Sequence, residues 1–230
     1  MLAFVAAGIL KGATGAGVPI ITIPVISAFY DVRLAVVIMV IPNVLTNIHQ
    51  LYIYRKSILP LSLTFSFAFG GGFGAIIGTV FLAKLSLNAL SIGMGCIVLL
   101  YILFKLFVPS WRLVYQKSKG LFLPVGFFGG ILQGASGISA PISITFLNSM
   151  KLTRETFIST ISVYFMVMAL FQTPALFYYE FIGYQIVFIS LLCTFVLLLS
   201  MPIGARIAKS ISVNTFDKLI LILLGIITCK

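Results

Sequence analysis

Residues 8–20 read GILKGATGAGVPI and residues 130–142 read GILQGASGISAPI, with eight of thirteen positions identical at an offset of 122. Each stretch carries a long polar side chain, Lys11 or Gln133, three positions before a small hydroxyl, Thr14 or Ser136. Helix-breaking residues follow: Gly15 and Gly17 in the first stretch, Gly137 and Ser139 in the second. Each ends on a proline, Pro19 or Pro141, which suits the first turn of a new helix because no N–H bond is lost there. The chemistry on offer is binding, not bond making. The free N–H groups at a helix start carry partial positive charge and hold anions. Glycines at 12, 15, 17, 134 and 137 let backbone come close to a ligand. Lys11 adds a full positive charge, or else snorkels to an interface, and its counterpart Gln133 adds none. The plainer alternative for the small residues is tight helix packing.

Asn43 and Asn47, four apart beside Pro42, share one helix face. They can donate to the oxygens of a ligand or bond across helices. His49 and Gln50 lie near the end of the same segment, and Gln172 and Thr173 occupy the matching place in the second half. Arg206 reads as an anchor beside a membrane. The carboxylates Asp31, Glu155, Glu180 and Asp217 all fall at segment ends, so no mid-span proton relay is expected. Cys96, Cys193 and Cys229 are scattered, which suggests neither a disulfide framework nor a metal site. With one histidine, no buried acid pair and no phosphate-binding loop, neither an enzyme nor an ATP-driven pump is expected, and no cofactor.

These residues must be positioned by membrane helices. The chain has 230 residues, 61% hydrophobic and 8% charged, with a mean hydropathy of +1.21. Soluble proteins run to about 25% charged residues. The apolar segments are 1–30, 34–53, 58–83, 87–108, 120–150, 156–178, 182–205 and 214–229. Their unbroken apolar runs argue for helices over an outer-membrane barrel. The net charge of +11 sits mainly in short loops, which fits lipid headgroups, not nucleic acid. Tyr52, Tyr54, Trp111, Tyr178, Tyr179 and Tyr184 cluster at segment ends as an aromatic belt. The N-terminal segment has no basic run before it and is read as retained.

The charges choose between topologies. If all eight segments cross, lysines and arginines divide seven to seven, which is no bias. If segments 1–30 and 120–150 dip in and return, the division is eleven to three, with Lys11 inside the first motif. Cytoplasmic loops are enriched in basic residues, so the second arrangement is expected. It gives an all-α polytopic membrane protein of two inverted repeats, each a broken re-entrant helical hairpin plus three transmembrane helices. The repeats are 1–108 and 120–230, joined by a cytoplasmic linker at 109–119. Irregular backbone at membrane depth survives only inside protein or beside water. Both breaks are therefore expected to face the interior and to meet near the midplane as an anion site.

The repeated glycine-rich break ending in proline, near the N-terminus and again at the midpoint, resembles the TauE/SafE family of membrane permeases, the sulfite exporters. The resemblance covers essentially the whole chain. It implies transport of sulfite, sulfonates and related organosulfur anions across the bacterial inner membrane. The expectation is a secondary transporter or facilitator, working outward by alternating access. The substrate would be held by Lys11, Thr14, Gly15, Gly17, Pro19, Asn43, Asn47, Gln133, Ser136, Gly137, Ser139 and Pro141. The expected partners are a small anion and membrane lipids, and pairing into a homodimer stays open. The alternatives are a permease for another solute, such as an organic acid or a metal ion, and a non-transporting membrane subunit that binds partners.

Overall fold

The computed structural model describes residues 1–107 and 112–208, and the expected last segment, 214–229, lies outside them. Among the described residues the chain is helical throughout, with no strand. The helices are α1 (Leu2–Thr14), α2 (Val18–Phe29), α3 (Val32–Tyr54), α4 (Leu61–Lys84), α5 (Leu87–Phe107), α6 (Tyr115–Ser118), α7 (Phe122–Ser136), α8 (Ser143–Ser149), α9 (Arg154–Tyr178) and α10 (Tyr184–Ile207). Among the described residues, four stretches are long and apolar enough to cross a membrane: Val32–Ser57, Leu61–Lys84, Arg154–Tyr178 and Tyr184–Ile207.

Local sequence explains where the elements start and stop. α3 begins on Asp31, whose Oδ1 accepts from the Leu34 N–H at 2.8 Å. α9 begins on Thr153, whose Oγ1 accepts from the Thr156 N–H at 3.3 Å. Both are N-caps that satisfy an orphan donor of the first turn. α1 and α7 end on Gly15 and Gly137, at φ 86° and 73°. In each case the glycine N–H closes the last turn, at 2.7 Å onto Lys11 O and Gln133 O respectively. Left-handed backbone at a helix end is what glycine supplies at least cost. α2 restarts with Pro19 in its first turn. Pro141 lies in the turn that leads into α8.

Two glycine seams hold the bundle together. On one, Gly70, Gly74 and Gly78 of α4 press on the backbone of α7, and Gly126, Gly130 and Gly134 of α7 press on the backbone of α4. A Cβ at Gly74 would overlap the Phe127 carbonyl, and one at Gly130 would overlap that of Gly71. On the other, Gly8 and Gly12 of α1 meet Leu197 and Met201 of α10, while Gly204 meets Ile9. Without water to drive association inside lipid, this close approach is what van der Waals packing requires. α3 and α9 pack on each other between the seams.

Arginines mark the two ends of the bundle. Arg33, at the start of α3, donates to Leu82 O at 3.0 Å and Leu85 O at 3.1 Å, where α4 ends, and lies over Phe181 just before α10. Arg154, at the start of α9, donates to Gly12 O and Ala13 O and faces Tyr54 at the end of α3. The second broken segment returns to the end from which it set out. Ser149, closing α8, accepts from the Leu113 N–H at 3.0 Å. The Ser118 hydroxyl, just before α7, meets Met150 Sδ at 3.2 Å.

Candidate anion-binding site

The first break directs a lysine into the protein. Lys11 is 2% exposed and Asn47 0%, and Lys11 Nζ donates to Asn47 Oδ1 at 2.8 Å. Asn47 in turn donates through Nδ2 to Asn43 O at 2.6 Å, so the asparagine carbonyl is turned toward the lysine. Gln50 donates from Nε2 to the Lys11 carbonyl at 3.1 Å. That carbonyl also closes the last turn of α1. Ser162 on α9 completes the group by donating to Gln50 Oε1 at 3.3 Å. The ring of Phe165 lies 6.0 Å from Nζ. Three helices, α1, α3 and α9, thus converge on one ammonium. Its hydrogen-bond partner among the described residues is a neutral amide, while an ammonium has three donors. A charge-assisted bond to an anion is the strongest contact such a donor can make.

The second break is built alike and charged differently. Ser136 donates to Leu132 O at 2.8 Å, as Thr14 does to Leu10 O at 2.9 Å. Each hydroxyl also receives a backbone N–H from across its break, Ala16 onto Thr14 and Ile138 onto Ser136. These hydroxyls satisfy the broken backbone, as an irregular segment at membrane depth demands. Ser139 pairs with Ser143 at 3.0 Å in the turn into α8. Gln133 is buried, and its Oε1 has no hydrogen-bond partner among the described residues. Gln172 reaches Gly134 O at 3.4 Å, which places this part of α7 beside α9.

The breaks do not meet tip to tip. Gly15 lies against Ile158, near the start of α9, and Gly137 lies against Val36, near the start of α3, and against Ile23. Those two starts are at opposite ends of the bundle, as Arg154 and Arg33 show. The reason is length. α1 has 13 residues and α7 has 15, about 20 and 22 Å at ~1.5 Å per residue, which is past the middle of a ~30 Å core. The side chains of Lys11 and Gln133 leave their helices one turn before each break. Lys11 reaches Asn47, inside the length of α3, rather than the end of the helix.

Gly12 and Gly134 make their close approach to Met201 and to Ala75 of neighbouring helices. Gly17 caps α2, and Pro19 is buried in its first turn. His49 is exposed. Two residues of the cluster, Gln50 and Ser162, are absent from the set chosen on sequence. The signal for Gln50 was available, since 43, 47 and 50 fall on one helix face at spacings of four and three. Ser162 carries no such signal, because its place depends on how α9 packs on α3.

The family model described as Sulfite exporter TauE/SafE matches residues 1–230, the whole chain. No curated protein and no solved structure matches it. Members of that family are membrane transporters and not enzymes. The chain therefore belongs to the sulfite exporter TauE/SafE family, and it is an integral membrane protein of the transport class.

Proposed function

We propose that the protein is a secondary transporter or facilitator that exports a small sulfur-containing anion, such as sulfite or a sulfonate, across the bacterial inner membrane. The observation that carries this reading is the buried Lys11 side chain, whose Nζ is hydrogen-bonded to the neutral Asn47. A cation kept in a low-dielectric interior is costly unless paired, and the anion supplies the missing charge while it is bound. Asn47 contributes its amide beside the lysine, with Asn43 on the same helix face and Gln133 at the repeat-related position, and the breaks at Gly15–Gly17 and Gly137–Pro141 end the helices that carry Lys11 and Gln133.

The mechanism is alternating access by two inverted halves. Support comes from features that recur at the offset of 122. Asp31 and Thr153 cap α3 and α9. Gly15 and Gly137 end α1 and α7. Gly15 lies on Ile158 while Gly137 lies on Val36, which is the same pair of contacts with the halves exchanged. Each hairpin's first arm packs on a long helix of the other half, α1 on α10 and α7 on α4. Rocking one half on the other would carry a hairpin with it. The membrane potential favours outward movement of an anion by about 2.3 kcal/mol per charge per 100 mV, so export needs no proton relay.

The test is flux from liposomes containing the purified chain, loaded with sulfite, thiosulfate, a small sulfonate or acetate, with and without an imposed potential. Potential-driven flux of a sulfur anion is the expected result. Absence of flux for all of them, from protein shown to be folded, would end this reading. Orientation has its own check. A cysteine at Ser57 should react from the cytoplasmic side and one at Ser86 from the opposite side.

A further inference from the structure

Resting on that reading, the geometry points to a site matched to a single negative charge, with Lys11 as the residue that sets this selectivity. Among the described residues, Lys11 is the only charged side chain that is buried. The described side chains placed around it are neutral. Asn47 accepts from Nζ, Gln50 donates to the Lys11 backbone carbonyl, Ser162 bonds to Gln50, and Phe165 presents its ring. The repeat-related position, which could have doubled the charge, holds Gln133. Arg154, which reaches the end of α1, is committed there to the Gly12 and Ala13 carbonyls.

A monoanion bound beside Lys11 gives a neutral pair. A dianion leaves one negative charge unpaired among amides and an aromatic ring, in a place where a buried charge without a partner is expensive. A neutral molecule of the same shape leaves the ammonium itself unpaired. Both alternatives are penalised, from opposite directions, by the same lysine. The preferred form is thus a sulfonate or a singly charged sulfur oxyanion, rather than the doubly charged ion.

Three tetrahedral sulfur compounds of similar size separate charge from shape: dimethyl sulfone, methanesulfonate and sulfate, with charges of zero, minus one and minus two. Their flux would be measured in the same liposomes at zero potential, and their competition against labelled methanesulfonate would be measured alongside. Methanesulfonate is expected to be preferred over both others by more than about tenfold, since a mismatched buried charge costs several kcal/mol. In Lys11→Met the preference over dimethyl sulfone should disappear. In Gln133→Lys, which adds a second ammonium at the related position, sulfate should gain on methanesulfonate by at least about tenfold. Sulfate moving as fast as methanesulfonate in the wild-type protein would overturn the charge assignment and leave anion transport standing. Flux of the sulfone alone, or of none of the three from folded protein, would overturn both. The wild-type series decides the matter even if a variant fails to fold.

Discussion

The two broken stretches share a backbone and differ in chemistry. Both end a helix on a left-handed glycine whose N–H closes the last turn at 2.7 Å. Both fold a small hydroxyl back onto a carbonyl of the preceding turn. Both set that glycine against a β-branched residue near the start of the other half's long helix. Yet the first presents a lysine fixed by Asn47, and the second a glutamine whose carbonyl oxygen has no partner among the described residues. The first restarts in a helix of 12 residues and the second in one of 7. Arg154 holds the end of α1, while Arg33 holds the end of α4 and not that of α7. The two stretches thus share what the broken backbone needs and differ in the long polar side chain they bury.

The comparison breaks most completely at Lys11. Lys11→Gln makes the first stretch chemically equal to the second. Anion flux should fall by about a hundredfold or more, because a charge-assisted anchor in a buried site contributes several kcal/mol. Folding should be retained, since glutamine is the residue that the same backbone carries at 133. Unchanged flux in Lys11→Gln would remove the lysine from the site.

Next in size are the seam glycines, where the two halves should respond alike. A Cβ at Gly12 would overlap the Met201 carbonyl, and one at Gly134 that of Ala75. Both obstacles are backbone, which cannot swing aside as a side chain does. Gly12→Ala and Gly134→Ala should each destabilise the protein by about 1–3 kcal/mol, the range in which overpacking and backbone shifts fall. Thermal unfolding in detergent would measure this. Gly93→Ala and Gly95→Ala serve as the control, because no atom of the described residues lies within 4 Å of a Cβ at either position. Equal unfolding of all four variants would show that the seams do not depend on close approach.

How much of this could be read beforehand depends on the range of the interaction. The broken helices, the restart at Pro19 and the shared face of Asn43 and Asn47 rest on local rules, and they are where the spacing puts them. The position of the breaks along the membrane normal was not legible. It depends on the lengths of α1 and α7 and on which helix each one rides. The small residues were ambiguous for the same reason. A glycine that admits a ligand and one that admits a neighbouring helix look alike until the neighbour is known. Gly12 and Gly134 turn out to face helices. Arg154 reads in the sequence as a loop charge that reports topology, and nothing local says that it ties α9 to residues more than a hundred positions earlier.

That tie carries the smallest of the predicted effects and the sharpest contrast. Arg154 Nε and Nη2 donate to Ala13 O at 3.1 and 3.0 Å, and Nη2 also to Gly12 O at 3.0 Å. The last carbonyls of a helix lack partners within it and carry partial negative charge, so a guanidinium there meets both needs. Arg154→Met keeps much of the side chain's length and removes the donors. The expected loss is about 1–2 kcal/mol, less than for a fully buried ion, because the group is only part-buried and lies at the end of the bundle. The loss should be local. Amide hydrogen exchange should quicken across the end of α1 and the start of α2 and stay unchanged across α7 and α8, where no arginine does the same work. Arg154→Lys, with a single point donor in place of the planar fork, should restore part of the protection. Uniform quickening of both broken stretches would mean that the arginine supports the whole bundle, and the contrast between the two breaks would then lie in Lys11 alone.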